Sequence, residues 1–205
     1  MAQVYAYDGI VPVIDPAAFV HPAAVVIGDV IVGAGCYVGP AACLRGDFGR
    51  IVMEPGSNLQ ETCVVHAFPN LETVIEERGH IGHGAVLHGC RVKRNAMVGM
   101  NAVVMDGAVV GENSIVAALA FVKAKETIPD NSLAVGAPAR VVRELSEKEI
   151  QWKSQGTDVY RQLAAEARDK LRPADPLSAV EPDRQRIRAP EYDPLFMERL
   201  KFGDD

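Results

Sequence analysis

The chain has 205 residues, a net charge of −6 and a pI near 5.4, a balance that argues against nucleic acid as a partner. Apolar residues make up 48% of it but aromatics only 6%, with 18 glycines and 13 prolines, which suits a repeat core of small and β-branched side chains in one domain plus an appendage. No stretch approaches the roughly 18 consecutive apolar residues of a membrane span. The start, Met1-Ala2-Gln3-Val4-Tyr5, also lacks a basic region followed by an apolar run, so no membrane and no signal peptide are expected. Cys36, Cys43, Cys63 and Cys90 show no CxxC spacing; they read as small core filler in a reducing compartment, and the expected location is cytoplasmic.

Val4 to Val13 alternates loosely and ends at prolines, like a strand entering a first coil. A period of six then begins at Val20, Val26, Val32, Val38 and Leu44, with Ala24, Val30, Cys36 and Ala42 four residues on. It weakens through Arg45-Gly46-Asp47, Asn58-Leu59-Gln60 and Val64-Val65-His66, and stops over residues 67–79, which read as a polar loop leaving the coil. From residue 86 the period is strict: Val86, Val92, Val98, Val104, Val110, Val116 and Val122, followed four residues on by Cys90, Ala96, Ala102, Ala108, Ser114 and Ala120. A helix cannot use a period of six, whereas a short strand, a turn and another strand can. Three such strands make a triangular coil of about 18 residues, stacked on itself as a solenoid. Valines fill the axis, small residues sit at the bends, and Gly99, Gly107 and Gly111 relieve crowding there. The expected domain spans residues 1–144, with six to seven coils. Ser146 and Glu149 form a capping box that opens a helix over residues 145–172, with an apolar stripe at Trp152, Val159, Leu163, Ala167 and Leu171 that packs on the solenoid or on a neighbouring subunit. Residues 173–205, proline-rich and charged, read as extended or disordered.

Four of the five histidines, His66, His80, His83 and His88, fall within 23 residues around the loop. Residues one coil apart stack about 4.8 Å from each other. His83 and His88 are five apart, on different flats or near opposite ends of one strand, so one chain need not bring three imidazoles to a point, whereas a symmetric oligomer can. Three imidazoles with an open position are the usual setting of catalytic Zn²⁺.

The hexad column is the hexapeptide-repeat signature, and the chain resembles left-handed parallel β-helix proteins, which implies an all-β solenoid with a C-terminal α-helix. Val65-His66, Ile81-Gly82-His83 and Leu87-His88-Gly89, with Arg45-Gly46-Asp47 and Gln60, resemble the motifs of the γ-class carbonic anhydrase-like family. The stretches Leu44–Val52, His80–His83, Val98–Val109 and Arg143–Ser146 with Trp152-Lys153 resemble the branch of that family found in phenylacetate degradation and the carnitine operon. The resemblance implies a homotrimer holding Zn²⁺ (Fe²⁺ or Co²⁺ being alternatives) on His66 and His88 of one subunit and His83 of the next. It further implies an Arg45–Asp47 ion pair at the interface and a Gln60 hydrogen bond to solvent on the metal. The family's proton-relay glutamates are replaced by Pro69 and Phe48, with Glu72, Glu76 and Glu77 the nearest acids. Phe48 and Phe68, with Asn101, read as substrate-binding residues of an apolar mouth. The favoured activity is hydrolysis of a small-molecule CoA thioester; CO₂ hydration is one alternative. A metal-free CoA-dependent acyltransferase using one histidine as base is the other, with Arg91, Lys93 and Arg94, or Lys123 and Lys125, meeting the CoA phosphates.

Overall fold

The computed structural model describes residues 2–188 and 190–202. The chain is a parallel β-solenoid of seven coils with three flats. The first flat stacks Gln3–Tyr5, the start of Val25–Val32, the start of Cys43–Met53, Val64–His66, Val86–His88, Val103–Val104 and Phe121–Val122. The second runs from Val13–Ile14 to Thr127–Ile128, and the third from Phe19–Val20 to Ser132–Val135. Arg140–Glu144 then returns antiparallel and closes the third flat.

The axis is filled as the hexad predicts. Val26, Val38, Leu44, Val98, Val104, Val110, Val116 and Val122 have no exposed surface, and Ala96, Ala102 and Ser114 are equally buried at the bends. A Cβ on Gly99 would lie 2.5 Å from the backbone nitrogen of Ala118 on the next coil, so that bend excludes any side chain.

Two details depart from the periodicity. Val86 does not face the axis; Leu87 does, fully buried. The strand His80–Ile81 pairs with Met97–Val98 at a spacing of 17, whereas Met97 pairs with Ile115 at 18. One residue is missing at the corner after His88, and Val86 keeps the count of six only by coincidence. The polar excursion is also shorter than the polar composition suggests. Thr73–Ile75 is a strand of the second flat, paired with Ile51–Met53 and Arg91–Val92. Val74 and Ile75 are buried, and the Thr73 hydroxyl donates to the His66 carbonyl at 2.7 Å. Only residues 67–72 leave the coil.

Helix α1 (Glu147–Lys170) starts at the predicted capping box, and Arg143 clamps Glu149 through both carboxylate oxygens at 2.7 and 2.8 Å. It runs back along the third flat from the last coil to the first, where Arg168 donates to the Pro16 carbonyl. Its buried face is not the predicted stripe. Lys153, Gly156, Thr157 and Ala164 are buried, while Leu163 and Leu171 are 41% and 48% exposed. The outward column of the third flat explains this. It reads Phe19, Tyr37, Asn58, His80, Met97, so its middle asks for polar partners. The tail also differs from an extended reading. Leu195–Phe202 forms helix α2, and Tyr192 stacks on Trp152 at 5.6 Å.

Candidate functional site

One corner, between the first and second flats, gathers the candidate residues. Asp47, His66, His88 and Asp106 stand on four successive coils. Asp47 Oδ1 lies 2.9 Å from His66 Nε2, His66 Nδ1 lies 3.2 Å from His88 Nε2, and His88 Nδ1 lies 2.6 Å from Asp106 Oδ1. The strand register makes this row, because His88 pairs directly with His66. Partial burial pushes the Asp47 carboxyl up, yet hydrogen bonds from Arg45 and His66 hold it below the ordinary aspartate value. As an ionised acceptor it takes the Nε2 proton of His66, and Asp106 takes the Nδ1 proton of His88. In neutral rings, the two nitrogens that face each other then both carry bare lone pairs. A shared proton or a cation is needed between them. Two nitrogens bound to one tetrahedral zinc ion are about 3.3–3.4 Å apart, close to the 3.2 Å found here.

His83 is elsewhere, at the corner between the third and first flats, at the other end of the strand that carries His88. Its Nδ1 is 2.5 Å from Glu61 Oε2, and its side chain is 47% exposed. Burial raises the Glu61 carboxyl, but its own backbone N–H and hydrogen bonds from Tyr37 and His83 bring it below the usual glutamate range. The same logic leaves Nε2 of His83 bare. All three predicted ligands therefore share one pattern, a carboxylate on one ring nitrogen and a free lone pair on the other. The remaining two histidines lack it. His21 accepts from the Ala23 N–H, and His80 is surrounded by amides. Among the described residues no single group of three or more metal-ligating side chains converges.

The other predicted residues divide. Arg45 pairs with Asp47 at 2.7 Å and lies 5.9 Å over the Phe48 ring. Phe48 packs 5.3 Å from the His66 ring and Phe68 5.1 Å from the His88 ring, both more than half exposed, so the pair sits between two aromatic walls. Gln60 is buried away from them, its amide directed at Asn58 and 2.8 Å from His80 Nε2. Asn101 belongs to the His83 corner, where its backbone N–H donates to the His83 carbonyl. Glu76 is committed to Arg91, Lys93 pairs with Asp130, and Arg94 pairs with Glu112. Lys125 stands one coil beyond Asp106, its N–H donating to the Asp106 carbonyl at 2.8 Å. The carboxylates Asp106 and Glu61 were not expected. Asp106 had a signal, since it follows His88 by 18 residues, one coil.

Comparison with known proteins agrees with this architecture. The family described as "Bacterial transferase hexapeptide (six repeats)" matches residues 89–124. The carnitine operon protein CaiE of Salmonella agona is 54% identical over 184 residues, 90% of this chain and 93% of that protein. Among solved structures, a hexapeptide transferase family protein from Anaplasma phagocytophilum is 34% identical with a TM-score of 0.78, covering 82% of this chain and 98% of its own. A Bacillus cereus protein provisionally described as an acetyltransferase is 30% identical with a TM-score of 0.79, covering 80% and 95%.

Proposed function

The chain belongs to the hexapeptide-repeat family of the carnitine operon protein CaiE, and from its carboxylate-backed histidines we propose that it is a metal-dependent hydrolase of CoA thioesters. In this reading the site forms between subunits of a homotrimer, from His66 and His88 of one subunit and the partner subunit's His83. The observation that carries it is the carboxylate held on each of these three rings and on no other histidine.

The surface between the two corners supports the assembly. The outward column of the first flat starts at the polar Gln3 and is apolar from the second coil on, through Val25, Cys43, Val64, Val86, Val103 and Phe121, with Val64 and Phe121 left exposed. It is bounded by the His66–His88 corner on one side and the His83 corner on the other. Burying this column against a second copy removes apolar area from water and brings the two corners together.

His66, His88 and the partner subunit's His83 would hold a zinc ion, which would supply Lewis acidity and lower the pKa of a bound water toward neutrality. The chain's own residues do the rest. Asp47, Asp106 and Glu61 fix the ring tautomers and raise the basicity of the free nitrogens. Phe48 and Phe68 line the mouth, favour an apolar acyl group and thin out competing water. Lys125, further along the corner of His88, would be the cation nearest the CoA phosphates, while Lys123 pairs with Glu126 at 3.7 Å. CO₂ hydration at high rate needs a proton relay, and the positions beside the rings carry Phe48, Phe68 and Pro69 instead.

A second reading, acyl transfer from CoA, draws on the transferase descriptions of the two solved relatives. There the His88–Asp106 dyad serves as general base, with Nε2 taking the acceptor's proton. The deciding experiment is metal analysis of the purified protein together with turnover of a thioester panel before and after exhaustive chelation. Bound zinc and activity lost on chelation are expected. Undiminished turnover without metal, stimulated by an amine or alcohol, would transfer the assignment to the second reading.

A further inference from the structure

The third flat and the His83 corner are joined by a chain of contacts that neither the metal nor the substrate requires. Tyr37, 6% exposed, donates its hydroxyl to Glu61 Oε1 at 2.9 Å, and the other oxygen of the same carboxylate accepts from His83 Nδ1 at 2.5 Å. The Tyr37 ring is itself fixed. It stacks on Phe19 at 5.6 Å and meets Tyr160 of α1 edge-on at 5.4 Å. We infer that Tyr37 is a positioning residue for His83, acting through Glu61, and that α1 thereby takes part in building the site.

The physical argument is one of graded order. His83 is half exposed and Glu61 one-third exposed, so neither ring nor carboxylate is held by packing alone. A carboxylate bonded through one oxygen turns freely about its last torsion, which is broad. A second bond, to a phenol locked between two aromatic rings, fixes the carboxylate plane. That in turn fixes the His83 ring and keeps its proton on Nδ1, with Nε2 bare and aimed outward. Burial and the neighbouring Glu61 both push the Tyr37 phenol up, so it remains the donor at any working pH. Tyr160 comes from the helix, so order passes from α1 through Tyr37 and Glu61 to an exposed imidazole.

This inference rests on the shared-histidine reading, and the test separates the two. Full-length wild-type protein, Tyr37→Phe and Glu61→Gln are titrated with zinc against a competing chelator. The ring tautomer of His83 is followed by ¹⁵N-histidine NMR in metal-free protein. Tyr37→Phe keeps the stacking on Phe19 and Tyr160 and removes only the hydroxyl. Zinc affinity is expected to fall roughly tenfold in Tyr37→Phe and up to about a hundredfold in Glu61→Gln. The His83 signal is expected to change from a single Nδ1–H form to a tautomer mixture in Tyr37→Phe. An unchanged His83 signal in Tyr37→Phe overturns the inference, whether or not zinc binding weakens. Failure of the wild type to bind zinc removes the shared-site reading instead, and leaves the Tyr37 relay to be judged on the ring signal alone.

Discussion

The amine of Lys153 lies 2.7 Å from Oδ1 of Asn95 and 3.1 Å from the Arg78 carbonyl, with 1% of the residue exposed. Two acceptors match the two N–H groups of a neutral amine, and no carboxylate pairs with it among the described residues. Burial first, and the Arg78 charge second, push its pKa down to about 6. The unfolded chain therefore binds one proton more than the folded chain between about pH 6 and pH 10. Stability should rise with pH through that window and be lost as pH falls toward 6, by at most about 1.4 kcal/mol per pH unit. Thermal melts at pH 6, 7, 8 and 9 should show this slope. Lys153→Met, which fills similar space without an amine, should flatten it; an equal slope in both proteins would assign the dependence to other groups.

Replacing His66, His83 or His88 by Ala should leave the fold intact, because the valine column supplies the core and the three rings lie at its corners. Each variant should lose stoichiometric zinc and most thioester hydrolysis, since two imidazoles hold a catalytic zinc poorly. His21→Ala is the control and should keep both. Retention of zinc by all three variants would show that the metal, if present, sits elsewhere.

Asp106→Asn tests the carboxylate that holds His88. The amide keeps the shape but cannot accept as strongly, so the His88 ring loses its preference for a free Nε2. Zinc affinity should fall about 10–100-fold with little change in melting temperature in the presence of chelator. An unchanged affinity would reduce Asp106 to a surface acid that happens to touch the ring.

Val98→Asp puts a carboxylate on the axis between the buried Ile81 and Val116, among apolar side chains. Burying that charge costs several kcal/mol, a large fraction of a domain's usual 5–15 kcal/mol. The variant should be insoluble or unfolded in circular dichroism. A variant melting like the wild type would mean the coil is not packed as described.

The solenoid was legible because its core repeats every six residues, and the eye needs only Val98, Val104 and Val110 to find the frame. The frame misled at Val86, where a corner one residue short left the count of six intact but moved Leu87 onto the axis. It also gave no help with α1. Hydrophobic periodicity finds oily faces, and the middle of this helix docks through Lys153 on Asn95 and Thr157 on His80, while Gly156 lies under Tyr192 of the tail. The pairing of His66 with His88 was implied by the family resemblance and not by spacing, since the two are 22 residues apart across an excursion of unknown length, and spacing left open on which flat His83 lies. What the sequence could not disclose was direction. Gln60 looks like a site residue by position, yet its amide turns inward to His80, pushed down to about 3 chiefly by burial and so unable to hold a charge there.

Helix α1 and the solenoid are matched in length. Twenty-four residues at about 1.5 Å each give about 36 Å, and seven coils at about 4.8 Å give about 34 Å. The two rulers have different gradations, one coil against roughly three helical residues, and their contacts must coincide at Lys153–Asn95, Thr157–His80 and the Tyr160–Tyr37 ring pair. A solenoid of this kind normally lengthens or shortens freely, one coil at a time. Here the helix counts the coils. Deleting one coil between His80 and Tyr37 without removing about one turn of α1 would leave Lys153 on Asn95 and Thr157 on His80 but carry Tyr160 out of register with Tyr37, so the number of coils is tied to a helix that lies outside the repeat.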